Sequence, residues 1–168
     1  MSEFRQIDPY ELQGNVMDMI VNGWMLIGAK SGGRVNMMTA SWGGMGVMWG
    51  KPAAFVFIRP QRFTKGLVDA ADGFSCTFYG EEYRPQLTLC GTKSGRDIDK
   101  IEACGFEVAE EEGIPYFTQA KTVLLCEKLY RQPLDPACFI AQELKTTHYP
   151  GKDYHDFYVA GIKKVLVK

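Results

Sequence analysis

What this sequence lacks narrows its function first. It has only two histidines, His148 and His155, seven apart in a Tyr/Gly/Pro-rich stretch with Asp153 and Asp156 nearby. That spacing matches no helix-face metal motif such as H-E-x-x-H, so the stretch reads as a surface loop. The five cysteines, Cys76, Cys90, Cys104, Cys126 and Cys138, are odd in number, and no two stand at C-x-x-C spacing. A disulfide framework and a thiolate zinc site are therefore not expected, and buried free thiols are. Cys90 has no histidine or resolving thiol near it in the chain, which is poor support for a redox thiol. Neither sign of charge is in excess: 19 Lys and Arg face 20 Asp and Glu, for a net charge of -1. Such a balance gives no field to hold a nucleic acid, and the aromatics are not interleaved with a basic stripe. No apolar run is long enough to span a bilayer, so no membrane partner is expected. The segment Met1 to Tyr10 carries acidic residues and no apolar signal core, which makes the cytoplasm the expected location.

Nucleotide-binding fingerprints are missing as well. Gly43-Gly44-Met45-Gly46 is not G-x-G-x-x-G, and no convincing helix follows it. Gly50-Lys51 resembles the end of a phosphate-binding Walker loop. However, Met45 stands where its first glycine belongs, and Pro52 supplies neither a hydroxyl nor an amide donor. A pyridine nucleotide would have to bind transiently, without a Rossmann site.

What is present is an ordinary globular composition, 46% hydrophobic and 23% charged. A single domain over 1–168 is expected, long enough to bury roughly 70% of its unfolded surface. Strands are read at Met25–Lys30, Arg34–Trp42, Ala53–Ile58, Phe74–Tyr79, Ala120–Leu129, Ala137–Thr147 and Phe157–Val167. The glycines from Gly43 to Gly50 read as an irregular connection. Thr64 is expected to cap a helix from Lys65 to about Ala71, closed by Gly73. A short helix is expected from Tyr83 to Cys90, with Gly91 at its end. Ser94-Gly95-Arg96-Asp97 fits a capping box before a helix through Cys104, with Lys100 one turn in. Strands outnumber helices, so the pattern favours a mainly β, antiparallel barrel with a few inserted helices over a doubly wound sheet.

Three segments carry the chemistry: Asn36-Met37-Met38-Thr39-Ala40-Ser41-Trp42-Gly43-Gly44, Arg59-Pro60-Gln61-Arg62-Phe63-Thr64, and Cys90 to Lys100. Each sets small polar residues and backbone amides beside apolar bulk, and the last two add fixed positive charge. The mixture suits a ligand that is a flat ring at one end and a phosphate at the other. A phosphate wants guanidinium forks, hydroxyls and N–H groups at a helix N-terminus. Arg59, Arg62 and Thr64 precede one expected helix, and Ser94, Gly95 and Arg96 precede another.

The order and spacing of these segments resemble the flavin reductase-like FMN-binding proteins, including the flavoredoxins, from about Ile27 to the C-terminus. The resemblance implies a split β-barrel of Greek-key type that binds FMN and acts as a homodimer. It places Asn36, Met38, Thr39, Ala40, Ser41 and Trp42 on the ring and ribityl chain, and Arg59, Arg62, Thr64, Ser94, Gly95 and Lys100 on the phosphate. Phe63 stands where a tyrosine is expected, a departure that removes only a hydroxyl. The resemblance also brings Tyr154, His155 and Tyr158 near the site. The activity it implies is an oxidoreductase that passes electrons through FMN from a reduced donor such as NAD(P)H, or exchanges them with a redox protein. No side chain is assigned an acid or base role. The alternatives are a flavoredoxin-type electron carrier without NAD(P)H turnover, and a non-redox binding module on the same barrel.

Overall fold

The computed structural model describes residues 3–168; Met1 and Ser2, where the N-terminal segment read above begins, lie outside them. An eight-stranded antiparallel sheet dominates, with the path β3-β2-β6-β9-β10-β5-β4 and β1 (Arg5–Ile7) paired to β10. Its strands are β2 (Met25–Ser31), β3 (Arg34–Ala40), β4 (Gly43–Met48), β5 (Lys51–Ile58), β6 (Gly73–Phe78), β9 (Thr122–Pro133) and β10 (Asp156–Val167). The path ends at β3 and β4, which do not pair with each other, so the sheet curls without closing: a split barrel. The hairpin β7 (Val108–Glu111) with β8 (Ile114–Phe117), unseen in the sequence, stands apart.

Register follows from turn chemistry and apolar pattern. Gly32 and Gly33 both have positive φ (57° and 77°), which lets a two-residue turn pair Ser31 with Arg34. β2 is nearly all apolar because both of its faces are covered. Met25, Ile27 and Ala29 enter the barrel with Val56, Phe74, Leu124 and Tyr158. Leu26 faces a second cluster with Met37, Leu87, Cys90, Cys104 and Phe117. That second layer comes from the helices α3 (Arg84–Thr92) and α4 (Lys100–Cys104).

Several expectations are corrected. The Gly43–Gly50 stretch is mostly strand β4, paired with β5. Its glycines answer to close approach: a Cβ on Gly43 would lie 2.4 Å from the Phe55 carbonyl oxygen, and Gly44 and Gly46 pack against the Phe55 ring. Ala137–Thr147 is no strand. Pro133 ends β9, a short turn at Pro136–Cys138 is capped by Asp135, and helix α5 spans Glu143–His148. A short helix α1 spans Val16–Asp18, and helix α2 is Phe63–Ala70, so Thr64 is the second residue of α2 and not its cap. α3 runs through Gly91 to Thr92. Ser94 folds a turn, its Oγ accepting from the Arg96 N–H, while Asp99 caps α4 and Lys100 is that helix's first residue. Tyr158 is fully buried in the barrel, where it donates to Asp69 (2.6 Å).

α2 is pinned to the sheet by charge. Lys65 Nζ lies 2.6 Å from Asp69 and 2.9 Å from Asp156, and Arg131 Nε donates to Asp156 (2.6 Å). Lys65 and Asp156 are both buried. Hydrogen bonds from Lys65 and Tyr158 hold the Asp69 carboxyl below the usual range despite its partial burial. This network fixes where α2 begins, and the beginning of α2 is where the site lies.

Candidate functional site

Two neighbouring cavities share Arg62. The first, about 210 Å³, is lined by Gln61 to Thr64, by Gly91 to Arg96 and by Lys100. Arg62, Lys93, Arg96 and Lys100 supply four cations to its wall, and no carboxylate lines it. In a chain of net charge -1 that is a local concentration of positive charge. The N-terminus of α2 opens here without a side-chain cap, which leaves the first-turn N–H groups of Phe63 and Thr64 available to an anion. Asn36 Nδ2 donates to Thr64 Oγ1 (3.0 Å), so the Thr64 hydroxyl keeps its own proton for an acceptor.

The two loops are clamped together. Arg34 and Arg96 both lie over the Phe63 ring, with guanidinium carbons 4.3 and 5.3 Å from its centroid. Arg34 donates to the Gly95 carbonyl, and Arg96 donates to the Gln61 carbonyl (3.1 Å). Gly95 packs closely on Asn36: a Cβ there would lie 2.5 Å from Asn36 Nδ2, so a larger residue would have to displace an amide held by Thr64. Lys100 is buried and donates to the carbonyls of Met37 (3.0 Å) and Cys90 (2.8 Å). Burial pushes its pKa down to about 8, and Arg62 pushes the same way. Arg62 itself donates to the Cys90 carbonyl (3.2 Å).

The second cavity, about 270 Å³, runs along Met38, Thr39, Ala40, Ser41 and Trp42, with Phe57, Arg59, Arg62 and His155 opposite. β3 is the last strand of the sheet path, so its outer backbone groups face this side without a strand partner. Trp42 is 39% exposed, which sets it at the cleft rather than in the core. His148 meets its ring edge-on at 5.2 Å, and His155 lies 4.9 Å away with planes at 40°.

Most of the residues anticipated for one ligand therefore converge, with two reassignments. Arg59 stands at the flat cleft and not in the cationic cavity; it binds Asp153 (2.5 Å) and the His148 carbonyl (3.0 Å). The Gln61 amide and Arg59 hold the Asp153 carboxyl below its usual range. Asn36 is buried beneath Thr64 and Gly95, outside the flat cleft. Arg96, read from the sequence as preceding a helix start, lines the cationic cavity, whereas Lys93, Arg34 and Phe57 were not singled out. Arg34 was findable, because it shares a strand face with Asn36 at a spacing of two. Cys90 does have a thiol neighbour, Cys104, at 3.6 Å between sulfurs. Burial pushes the Cys90 thiol up to about 12, which leaves it a poor nucleophile. Among the described residues no group of three or more His, Cys, Asp or Glu is placed to hold a metal ion.

A planar cleft on an edge strand, joined to a carboxylate-free cationic cavity at a helix start, fits a flat ring carrying a phosphate. The flavin reductase like domain model matches residues 17–160, and the chain belongs to that family. No curated protein matches the chain. Among solved structures it is similar to flavoredoxin from Methanosarcina acetivorans, at 21% identity and a TM-score of 0.69, over 87% of this chain and 68% of that one. It is also similar to the FMN-binding protein from Thermus thermophilus with bound p-hydroxybenzaldehyde, at 25% identity and a TM-score of 0.68, over 96% of this chain and 82% of that one. An FMN-binding domain of a flavin reductases-like enzyme from Shewanella baltica gives 16% identity and a TM-score of 0.71, over 98% and 77%. The two likenesses below 25% identity speak for the fold. The family and the site together support a flavin-binding redox protein.

Proposed function

We propose that the protein binds FMN non-covalently and works as a flavin-dependent oxidoreductase. In this reading the phosphate sits in the cationic cavity, held by Arg62, Ser94, the Gly95 loop and the start of α2, with Lys100 beneath. The ring lies along Met38–Trp42. The observation that carries the reading is that both cavities meet at Arg62, as one ligand with a ring and a phosphate requires. The FMN bound by the Thermus thermophilus protein supports the choice of flavin. When bound, the flavin supplies hydride or single-electron chemistry, and the protein supplies the anchor and donors to the ring.

A reduced nicotinamide, NADH or NADPH, is the proposed electron donor, as a visitor stacked on the exposed ring face. Among the described residues no glycine-rich strand-turn-helix stands ready to hold a pyrophosphate. A homodimer is part of the same reading. Val47, Trp49 and Tyr130 are exposed near the stacked Phe55, Phe157 and Phe57, and Phe57 also lines the flat cleft. Exposed Cys138 as a free thiol suits the reducing cytoplasm. Among the described residues no helix is long and apolar enough to cross a membrane.

Titration of the apoprotein with FMN and with riboflavin tests the reading. Charge-assisted hydrogen bonds of ~1.5–3 kcal/mol each should favour FMN by orders of magnitude. Equal affinity for the two refutes the phosphate assignment. Anaerobic mixing of the FMN-loaded protein with NADH or NADPH should bleach the flavin with weak saturation. Bleaching by neither donor moves the reading to an electron carrier.

A further inference from the structure

His155 immediately precedes β10, is buried, and lines the flat cleft. Its Nδ1 lies 2.8 Å from the Tyr149 hydroxyl. Tyr149 is buried too, and the other group that meets its hydroxyl is the His155 backbone N–H, which can only donate to it. That fixes the direction of the bond. If Nδ1 carried the proton, two donors would face each other and the hydroxyl hydrogen would be left without an acceptor. With the hydroxyl donating to Nδ1, the imidazole holds its own proton on Nε2. Nε2 has no protein partner among the described residues. The nearby cation is otherwise engaged: Arg59 is bound by Asp153 and the His148 carbonyl, and its guanidinium lies over the Tyr149 ring, 5.1 Å from the centroid. The cleft is thus left with an unspent, neutral N–H on a rigid imidazole flanked by Trp42.

We propose that His155 Nε2–H donates a hydrogen bond to the heteroatom edge of the bound flavin ring, held in that tautomer by Tyr149, and that it stabilises the reduced flavin over the oxidised. The proposal rests on the FMN reading above. Reduction places more electron density on the ring nitrogens and carbonyl oxygens, so a fixed donor gains strength when the flavin is reduced. The donor stays neutral: burial, with Arg59 and Arg62 acting in the same direction, pushes His155 down to about 4 against the opposite pull of Asp153 and Asp156. Above about pH 5 the ring therefore receives a dipole and not a charge.

The test compares wild type, His155→Phe, His155→Gln and Tyr149→Phe, each loaded with FMN, by spectroelectrochemical titration at neutral pH. Removing the donor in His155→Phe should cost about tenfold in the preference for reduced over oxidised FMN, which lowers the two-electron midpoint potential by about 30 mV. His155→Gln, whose amide offers an N–H near the same place, should keep most of the wild-type potential. Tyr149→Phe should fall between them. Long-range proton–nitrogen NMR of the apoprotein gives a readout without flavin: the wild type should show Nε2–H, and Tyr149→Phe should lose that preference. An unchanged potential in His155→Phe, an equal loss of affinity for both redox forms, or an Nδ1–H tautomer in the apoprotein overturns the proposal while leaving the FMN reading intact. A wild-type protein that takes up no FMN overturns both.

Discussion

Lys100 is a buried ammonium under the proposed phosphate site, and on the FMN reading that arrangement should make FMN affinity depend on pH. In the apoprotein burial pushes Lys100 down to about 8, so it is charged at neutral pH and largely neutral well above it. A bound phosphate favours the charged form and raises its pKa toward the ordinary value of ~10.4, so FMN binding takes up a proton between those limits. With those two limits, affinity should fall ~30-fold between about pH 7 and about pH 9.5, roughly 2 kcal/mol at 1.36 kcal/mol per pKa unit. Cys90, at about 12, does not titrate in that window. The apoprotein moves the other way. From about pH 8 to about 10.4 the unfolded chain holds more protons at this position than the folded one, so the stability contribution of Lys100 rises with pH. The assay is flavin fluorescence quenching at a series of pH values, on wild type and Lys100→Met, with riboflavin as the ligand without a phosphate. A wild-type affinity for FMN that is flat to pH 9.5, or a Lys100→Met variant with the same slope, refutes the reasoning.

Three further outcomes follow from the same geometry. Arg62→Ala and Ser94→Ala should each weaken FMN by about one to two orders of magnitude, at ~1.5–3 kcal/mol per charge-assisted bond, while thermal melts stay close to wild type. A variant that unfolds yet keeps its preference for FMN over riboflavin would show a purely structural role. Gly95→Ala should push the loop off Asn36 and weaken FMN more than riboflavin; wild-type FMN affinity would contradict the close packing of Gly95 on Asn36. Asp156→Ala strips Lys65 and Arg131 of a shared, buried partner but leaves both of them Asp69, so it should cost about 1.5–3 kcal/mol in denaturant unfolding, whereas a loss below about 0.5 kcal/mol would show that Asp156 does not anchor them.

How far the sequence could be read depends on whether a feature is local. Ser31-Gly32-Gly33-Arg34 and the apolar runs of β2, β5, β6 and β10 declare themselves through turn chemistry and burial. So do the small polar residues of Met38–Trp42. What was misread needed a partner from elsewhere. The glycines of β4 make sense only against Phe55, across the strand pair. Ala137–Thr147 has strand-like residues, but no sheet edge receives it and Pro133 ends the ladder first. Lys100 reads as a free cation until the Met37 and Cys90 carbonyls are seen to accept its hydrogen bonds. Arg59 reads as an anion ligand until Asp153, 94 residues away, claims it.

The clamp on Phe63 has a consequence for how the molecule assembles. Arg34 reaches Gly95 across 61 residues of chain, and Thr39 reaches the Leu87 carbonyl across 48. Contacts of such separation carry a loop-closure cost that slows their formation. Both cavities draw their walls from segments far apart in the chain, so we expect neither to form before those segments meet. Capture of flavin during refolding should trail the recovery of sheet signal, and flavin emission should report the completed native state rather than any stage before it.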